Sequence, residues 1–366
     1  MSGRSRWWGG LSSLIGLAMA ASCSQLPIPP YNDGGAGDTT PPMTLGPHAL
    51  TPVPVDAVGL AADDSGIYWT SPANELWVLP PGAPLPVPLT LDSHPGLSCS
   101  FAPPPVPTAS HVFWSSSNPT AIHRTRKDGS GDETLASPAS AWPGRLAADT
   151  SSVYWSDRVP DGEGGAVRAL PLDAPAASTP TTLVRAASDQ DIYSLAAHRD
   201  ALYWTPFKAV ASSYMSTLWS ATLDELAQGS GGAAVDAPRS PYALTSTGGD
   251  LLFAFYADPW TSSIARLPVG GAPQTMGTLP TGESVLGLAA VDGWALASTD
   301  PGGGCNLAPL MNLYATPLAG GTPKLIAQGI RAAAIAAPQG IVFVDADRHL
   351  VALPADQIDG MVSPVP

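Results

Sequence analysis

The chain has 366 residues, long enough for two average domains or one large repeat domain, and its 44% hydrophobic content excludes an extended disordered chain. Its 41 prolines and 37 glycines are spread between short apolar runs, as turn residues are in an all-β chain. The net charge of −14, about −16 once residues 1–22 are removed with Arg4 and Arg6, repels phosphate and excludes a general nucleic-acid or anionic-lipid surface.

The first 25 residues, "MSGRSRWWGGLSSLIGLAMAASCSQ", carry two arginines, an uncharged and mainly apolar stretch from Trp7 to Ala21, and then Cys23. That is the layout of a secretory signal peptide, predicted over residues 1–22, with an apolar centre too short for a comfortable span. It resembles bacterial lipoprotein signals, and the resemblance implies cleavage before Cys23 and lipid attachment to it. Cleavage after Ala20, since "AMA" has the small-x-small form, and plain secretion are the alternative, with an uncleaved anchor as a third. Residues 23–44 are rich in Pro, Gly, Asp and Thr without periodicity, so they are expected to form a solvated, flexible tether. Residues 45–366 are expected to form the folded body.

In that body one phrase recurs: a small apolar run, a polar turn, then an aromatic run. "GLAADDSGIYWTS" starts at Gly59 and "GRLAADTSSVYWSD" at Gly144. Seven copies align, anchored at Trp69, Trp114, Trp155, Trp204, Phe253, Ala297 and Phe343, with spacings of 45, 41, 49, 49, 44 and 46 residues. A period between 40 and 50 with strand-like runs predicts a β-propeller with one four-stranded blade per copy. The small-residue run suits the crowded innermost strand, the aromatic run the space between blades. The third strand, such as "ELWVLP" or "NLYATPL", alternates, and the fourth is short and polar, as an outer edge should be. "SVYWSD", "AIHRTRKDGSGDETLA" and "TPLAGGTPKLIA" resemble the YWTD, NHL and TolB-like propeller repeats over about residues 45–355. Only the third copy keeps an Asp after Trp-Ser, at Asp157, and YWTD propellers have six blades, so the resemblance supplies architecture and no binding residues. The reading is all-β: a seven-bladed propeller, with six or eight blades as alternatives. The segment "HALTPVPVDA", residues 48–57, reads as the strand that completes the last blade and closes the ring.

The remaining cysteines, Cys99 and Cys305, fall in long connections on one face of such a ring, and an exported chain invites a disulfide between them. The loop "SDRVPDGEGG" fits an EF-hand poorly, since Val159 and Arg168 stand where oxygen ligands are needed, and it reads as a solvated hairpin loop. The six histidines show no metal-ligand spacing, and three of them sit beside predicted strands, where exposure to solvent is the expectation. No metal, cofactor motif or catalytic residue is singled out, and no Gly-x-Ser-x-Gly elbow occurs. Trp69, Trp77, Trp114, Trp155, Trp204 and Trp219 fall at strand positions and read as packing between blades. Trp142 and Trp260, in or near connections, and Phe207, Lys208 and Tyr214, in the long blade-four loop Thr205–Thr217, are the candidates for ligand contact.

These features together predict a monomeric, exported and lipid-anchored propeller that binds a protein, peptide or glycan of the bacterial cell envelope. It would touch the membrane through its lipid alone and would not bind nucleic acid. By analogy with lipoprotein sorting, Ser24 after Cys23 favours the outer membrane, facing periplasm or cell surface, with a secreted soluble form as the alternative. A lyase or hydrolase with its site at the channel mouth, or a subunit of an envelope assembly, are the other readings.

Overall fold

The computed structural model describes residues 49–90, 103–117, 120–137, 142–158, 164–210, 213–238, 240–258, 261–301, 310–338, 340–358 and 360. Seven antiparallel sheets follow one another along the chain. Their first strands are Gly59–Asp63, Val106–Pro107, Trp142–Ala148, Asp191–His198, Pro241–Ser246, Ser284–Val291 and Ala332–Ala337. Each of these touches the first strand of the next sheet, and the last touches the first again. The sheets are therefore the blades of a seven-bladed β-propeller, and the small-residue runs line its axis. The register repeats with the sequence: Leu60 lies opposite Trp69, Leu146 opposite Trp155, Leu195 opposite Trp204 and Leu244 opposite Phe253. Such directly opposed pairs share one face of their sheet, so each leucine packs in the same seam as its aromatic partner, buried except for the half-buried Leu244.

Blade seven has only three strands from the C-terminal end of the chain: Ala332–Ala337, Gly340–Val344 and Leu350–Leu353. Its fourth place is filled from the other end. Ala49 bridges Val351 in antiparallel pairing, and the Leu50 N–H donates to the Leu350 carbonyl at 2.7 Å. The Leu350 N–H in turn reaches the Thr51 hydroxyl at 3.3 Å, and Val55 N–H reaches the Arg348 carbonyl at 2.7 Å. This pairing covers the edge that an open ring would leave exposed.

The core consists of seven seams rather than one centre. Each hydrophobic cluster joins two neighbouring blades, from Tyr68, Leu76 and Trp114 between blades one and two to Val55, Leu60, Trp69 and Val342 across the closing seam. Trp69, Trp114, Trp155 and Trp204 are fully buried in these seams, and Trp77 and Trp219 stack beside Trp69 and Trp204 with ring centroids 6.4 and 6.5 Å apart. Removing an aromatic side chain of this kind costs about 3–5 kcal/mol. Near the axis the spacing is tighter still: a Cβ on Gly287 would sit 2.6 Å from that of Ala333 in the next blade.

Three local expectations change. The long blade-four connection is strand, not loop: the second strand runs Ala201–Val210 and turns into a hairpin with Ser213–Ser216. After the third strand of that blade, Thr222 caps a short helix, Leu223–Ala227, with a reciprocal bond to Glu225. Asp157, expected at the start of a solvated loop, is fully buried at the end of its strand, where the Arg168 guanidinium binds its carboxylate.

Candidate binding face

The two faces of the ring are built differently. On one, first and second strands meet in short turns whose polar groups satisfy one another. Asp149 accepts from the N–H groups of Ser151 and Ser152 at 2.6 and 2.7 Å and from the Tyr154 hydroxyl at 2.7 Å. Asp63 accepts from Ser65 in the same way, and Lys127 of blade two joins it. We call this the turn face. On the other, the first strands enter beside the connections that leave the second strands: Trp142 lies opposite Arg158, and Asp191 opposite Phe207 at the root of the projecting hairpin. This is the entry face.

At the entry face the inner strands are irregular in a regular way. In blades three to seven the pairing of first with second strand slips by a residue near the strand's start. A bulge of this kind re-aims the extra side chain. In blades four, five and six the extra residues are Tyr193, Tyr242 and Leu286. In blade three Gly144 and Arg145 stand opposite Ser156, whose hydroxyl accepts the Arg145 N–H at 3.0 Å. A Cβ on Gly144 would meet that hydroxyl at 2.4 Å, so a larger residue would push it off the Arg145 N–H.

Arg145 is the charged group this geometry delivers to the axis. Its guanidinium crosses from blade three to blade six, where Nη2 donates to the Leu286 carbonyl at 3.0 Å. Among the described residues no carboxylate pairs with it. Burial pushes its ionisation below the ordinary arginine value, opposed by the nearby Tyr193 phenol, and an arginine stays cationic at neutral pH. Tyr193 is exposed, and its ring lies 5.6 Å from that of Phe207. Tyr242 is held firmly: its hydroxyl donates to Ser262 and accepts from the Val285 N–H, both at 2.9 Å, and its ring stacks on Tyr256 at 4.4 Å.

The predicted contact residues divide among three places. Phe207 is half-buried at the hairpin root against Tyr193, and Lys208 follows it, ion-paired with Asp189 in solvent. Tyr214 lies across the hairpin from Ala209, and Trp142 opens the inner strand of blade three. Trp260, Cys23, Cys99 and Cys305 lie outside the described residues. Arg145, Tyr193 and Tyr242 were not singled out, although the sequence held a signal for the first. Where other copies place Gly59, Ser194, Ala243 and Gly287 before the recurring leucine, the third places an arginine.

Two further polar groups are buried near this face. The Glu283 carboxylate accepts from Thr299, from Asn312 at 2.7 Å and from Tyr314 at 3.1 Å, so it is held by neutral donors. Asp157 is pulled upward in pKa by burial, and Arg168 offsets only part of that. The histidines differ from expectation, since none of the four described is exposed. His198 is buried with its Nδ1 2.8 Å from the Ser246 hydroxyl, and His123 stacks on Trp114 at 4.1 Å. They are drawn into the seams because an imidazole can pack as an aromatic face while one nitrogen keeps a hydroxyl partner. No group of three or more His, Cys, Asp or Glu side chains converges among the described residues.

No family model matches the chain, and no curated protein matches it either. Solved propellers do match in shape. YCF48 bound to D1 peptide superposes with a TM-score of 0.54 at 12% identity, over 83% of this chain and 94% of that one. An oligogalacturonate lyase in complex with manganese gives 0.56 at 12% identity, over 83% and 90%. A puromycin-hydrolyzing peptidase from Mycobacterium tuberculosis gives 0.53 at 16% identity, over 83% of this chain and 55% of that one. At these identities the likeness shows the fold alone, and the neighbours include enzymes as well as a peptide-bound protein.

Proposed function

We propose that this propeller is an exported binding module whose entry face recognises a protein or peptide of the bacterial cell envelope. The observation that carries the reading is the projecting hairpin of blade four. It extends a rigid second strand beyond the ring and sets Phe207 against the exposed Tyr193 beside the channel mouth. Aromatic groups held by a rigid scaffold, with a cation alongside, are what recognition surfaces concentrate. The peptide-bound neighbour supports the reading by analogy of fold. The N-terminal segment adds the address: a signal peptide over residues 1–22, a lipid on Cys23, a tether to the ring, and an oxidising compartment in which Cys99 and Cys305 pair. A protein placed so at the outer membrane meets partners that share its compartment.

Affinity capture from the native envelope, with mass spectrometry of captured proteins and of the processed N-terminus, tests this. Wild-type protein should recover a defined partner, and Phe207→Ala with Tyr214→Ala should reduce its recovery at least about fivefold, the scale of one or two interface contacts. Equal recovery by wild type and variant counts against the entry face. An unmodified N-terminus beginning at Ala21 would replace the lipid anchor with plain secretion.

A further inference from the structure

Arg145 is set where a structural role alone does not call for it. The six other inner strands hold an uncharged residue near that position, glycine, alanine or serine in five of them and proline in blade two. A guanidinium carries five N–H donors in a rigid plane. In Arg145 one Nη2 contact to the Leu286 carbonyl is made across the axis, and no described acid neutralises the charge. A half-buried cation without a counter-ion lowers stability rather than raising it. The rest of the molecule is strongly acidic, and cations such as Lys127, Lys208 and Arg168 sit on carboxylates. The axis thus holds a cationic point inside an anionic protein.

We propose that the Arg145 guanidinium receives the C-terminal carboxylate of a peptide inserted end-on into the channel from the entry face. This rests on the binding role proposed above and names the chemistry that would fix one end of the partner. The planar, two-oxygen carboxylate matches the guanidinium fork in charge and geometry, and such pairs are short and doubly bonded. A phosphate dianion matches less well, because one guanidinium leaves it half neutralised in a molecule of net charge −14. The Arg145 side chain alone spans the distance from blade three to the Leu286 carbonyl of blade six. That width suits an extended backbone entering by its end, and Tyr193 and Phe207 at the mouth give the preceding side chains an aromatic surface. A chain of sugar acids would have to bring whole rings to the same depth.

The test uses the purified chain with its signal peptide removed and two versions of one random heptapeptide mixture, ending in a free carboxylate or in a carboxamide. Peptides retained by each protein are quantified by mass spectrometry. Wild-type protein should retain free-acid peptides at least tenfold over the amides, and Arg145→Gln should abolish the preference while its Tm stays within a few degrees. Arg145→Lys, which keeps the charge without the fork, should retain a reduced preference, so loss of folding in the Gln variant alone would not hide the result. Equal retention of acids and amides, no retention of either, or an unchanged preference in Arg145→Gln overturns the proposal. So does competition by oligogalacturonate with no peptide retained, which assigns Arg145 to a glycan acid instead. If Phe207→Ala weakens partner capture while Arg145→Gln does not, the entry face stands as the binding surface and only the carboxylate assignment falls.

Discussion

The turn face and the entry face are made from the same seven copies, yet they dispose of their polar groups in opposite ways. On the turn face several turns satisfy their own polar groups within a few residues. Asp149 closes a network with Ser151, Ser152 and Tyr154, and Thr247 accepts from the Asp250 N–H at 2.8 Å. On the entry face bulges displace Tyr193, Tyr242 and Leu286 from the ladder, and Arg145 reaches across the axis to a single carbonyl. A repeat unit that closes its own turns on one side leaves the other side free to vary. Stability and the proposed recognition are thereby assigned to opposite sides of the ring.

That separation can be broken experimentally. The largest effect is expected between the faces, where Trp204→Ala should lower unfolding free energy by about 3–5 kcal/mol in urea melts, setting the scale for all other changes. At the turn face, Asp149→Ala strands the Tyr154 hydroxyl and two N–H groups and should cost about 1–3 kcal/mol while leaving partner capture intact. A loss of capture in that variant would mean that the two faces are coupled.

Acid should also act first on the turn face. Burial pushes the His198 imidazole below its ordinary value. Burial raises the Asp149 and Asp63 carboxyls, but hydrogen bonds from Tyr154, Lys127 and the serine turns outweigh it and hold both below theirs. In each case the unfolded chain binds a proton that the folded chain resists. Stability present at neutral pH is therefore lost as pH falls, first through about 6.5 at His198 and then below about 4 at the carboxylates. Asp157, raised by burial, acts the other way and blunts the second loss. Tm should fall between pH 7 and 5, and His198→Asn should flatten that slope; an unchanged slope would place the titration elsewhere. The smallest effect is expected at Lys208→Ala on the entry face, where the pair with Asp189 lies in solvent. No measurable change in Tm is expected there, with any loss confined to partner capture.

Much of the ring was legible in the sequence because its physics is periodic. Seven recurrences of a small run and an aromatic run report two strands whose side chains must fit a crowded axis and a wider seam, and the poor strand character after Leu353 pointed to residues 48–57 as the missing fourth strand. The site was legible only in part. Phe207 and Lys208 stood out in a long insertion, but reading that insertion as a loop missed the strand hydrogen bonds that make it project. Arg145 was hidden because "GRLAA" scores as one more small-residue run; what marks it is comparison down the copies at one position. Tyr193 and Tyr242 owe their placement to bulges, which depend on how strands slip past one another and leave no residue signature of their own. The histidines misled because polarity alone does not say whether a ring has a hydroxyl and an aromatic face waiting for it, as His198 and His123 have.

The seam between Leu50 and Leu350 has a consequence for biosynthesis. Its two halves are separated by almost the whole folded body, so the first segment of that body to be made waits longest for its partner. Pairing between ends so distant is slow to form, and until it does blade seven offers a bare strand to any neighbour. A chain interrupted anywhere before Leu350 can build blades but cannot lock them, which makes the seam a checkpoint for completeness as well as a clasp.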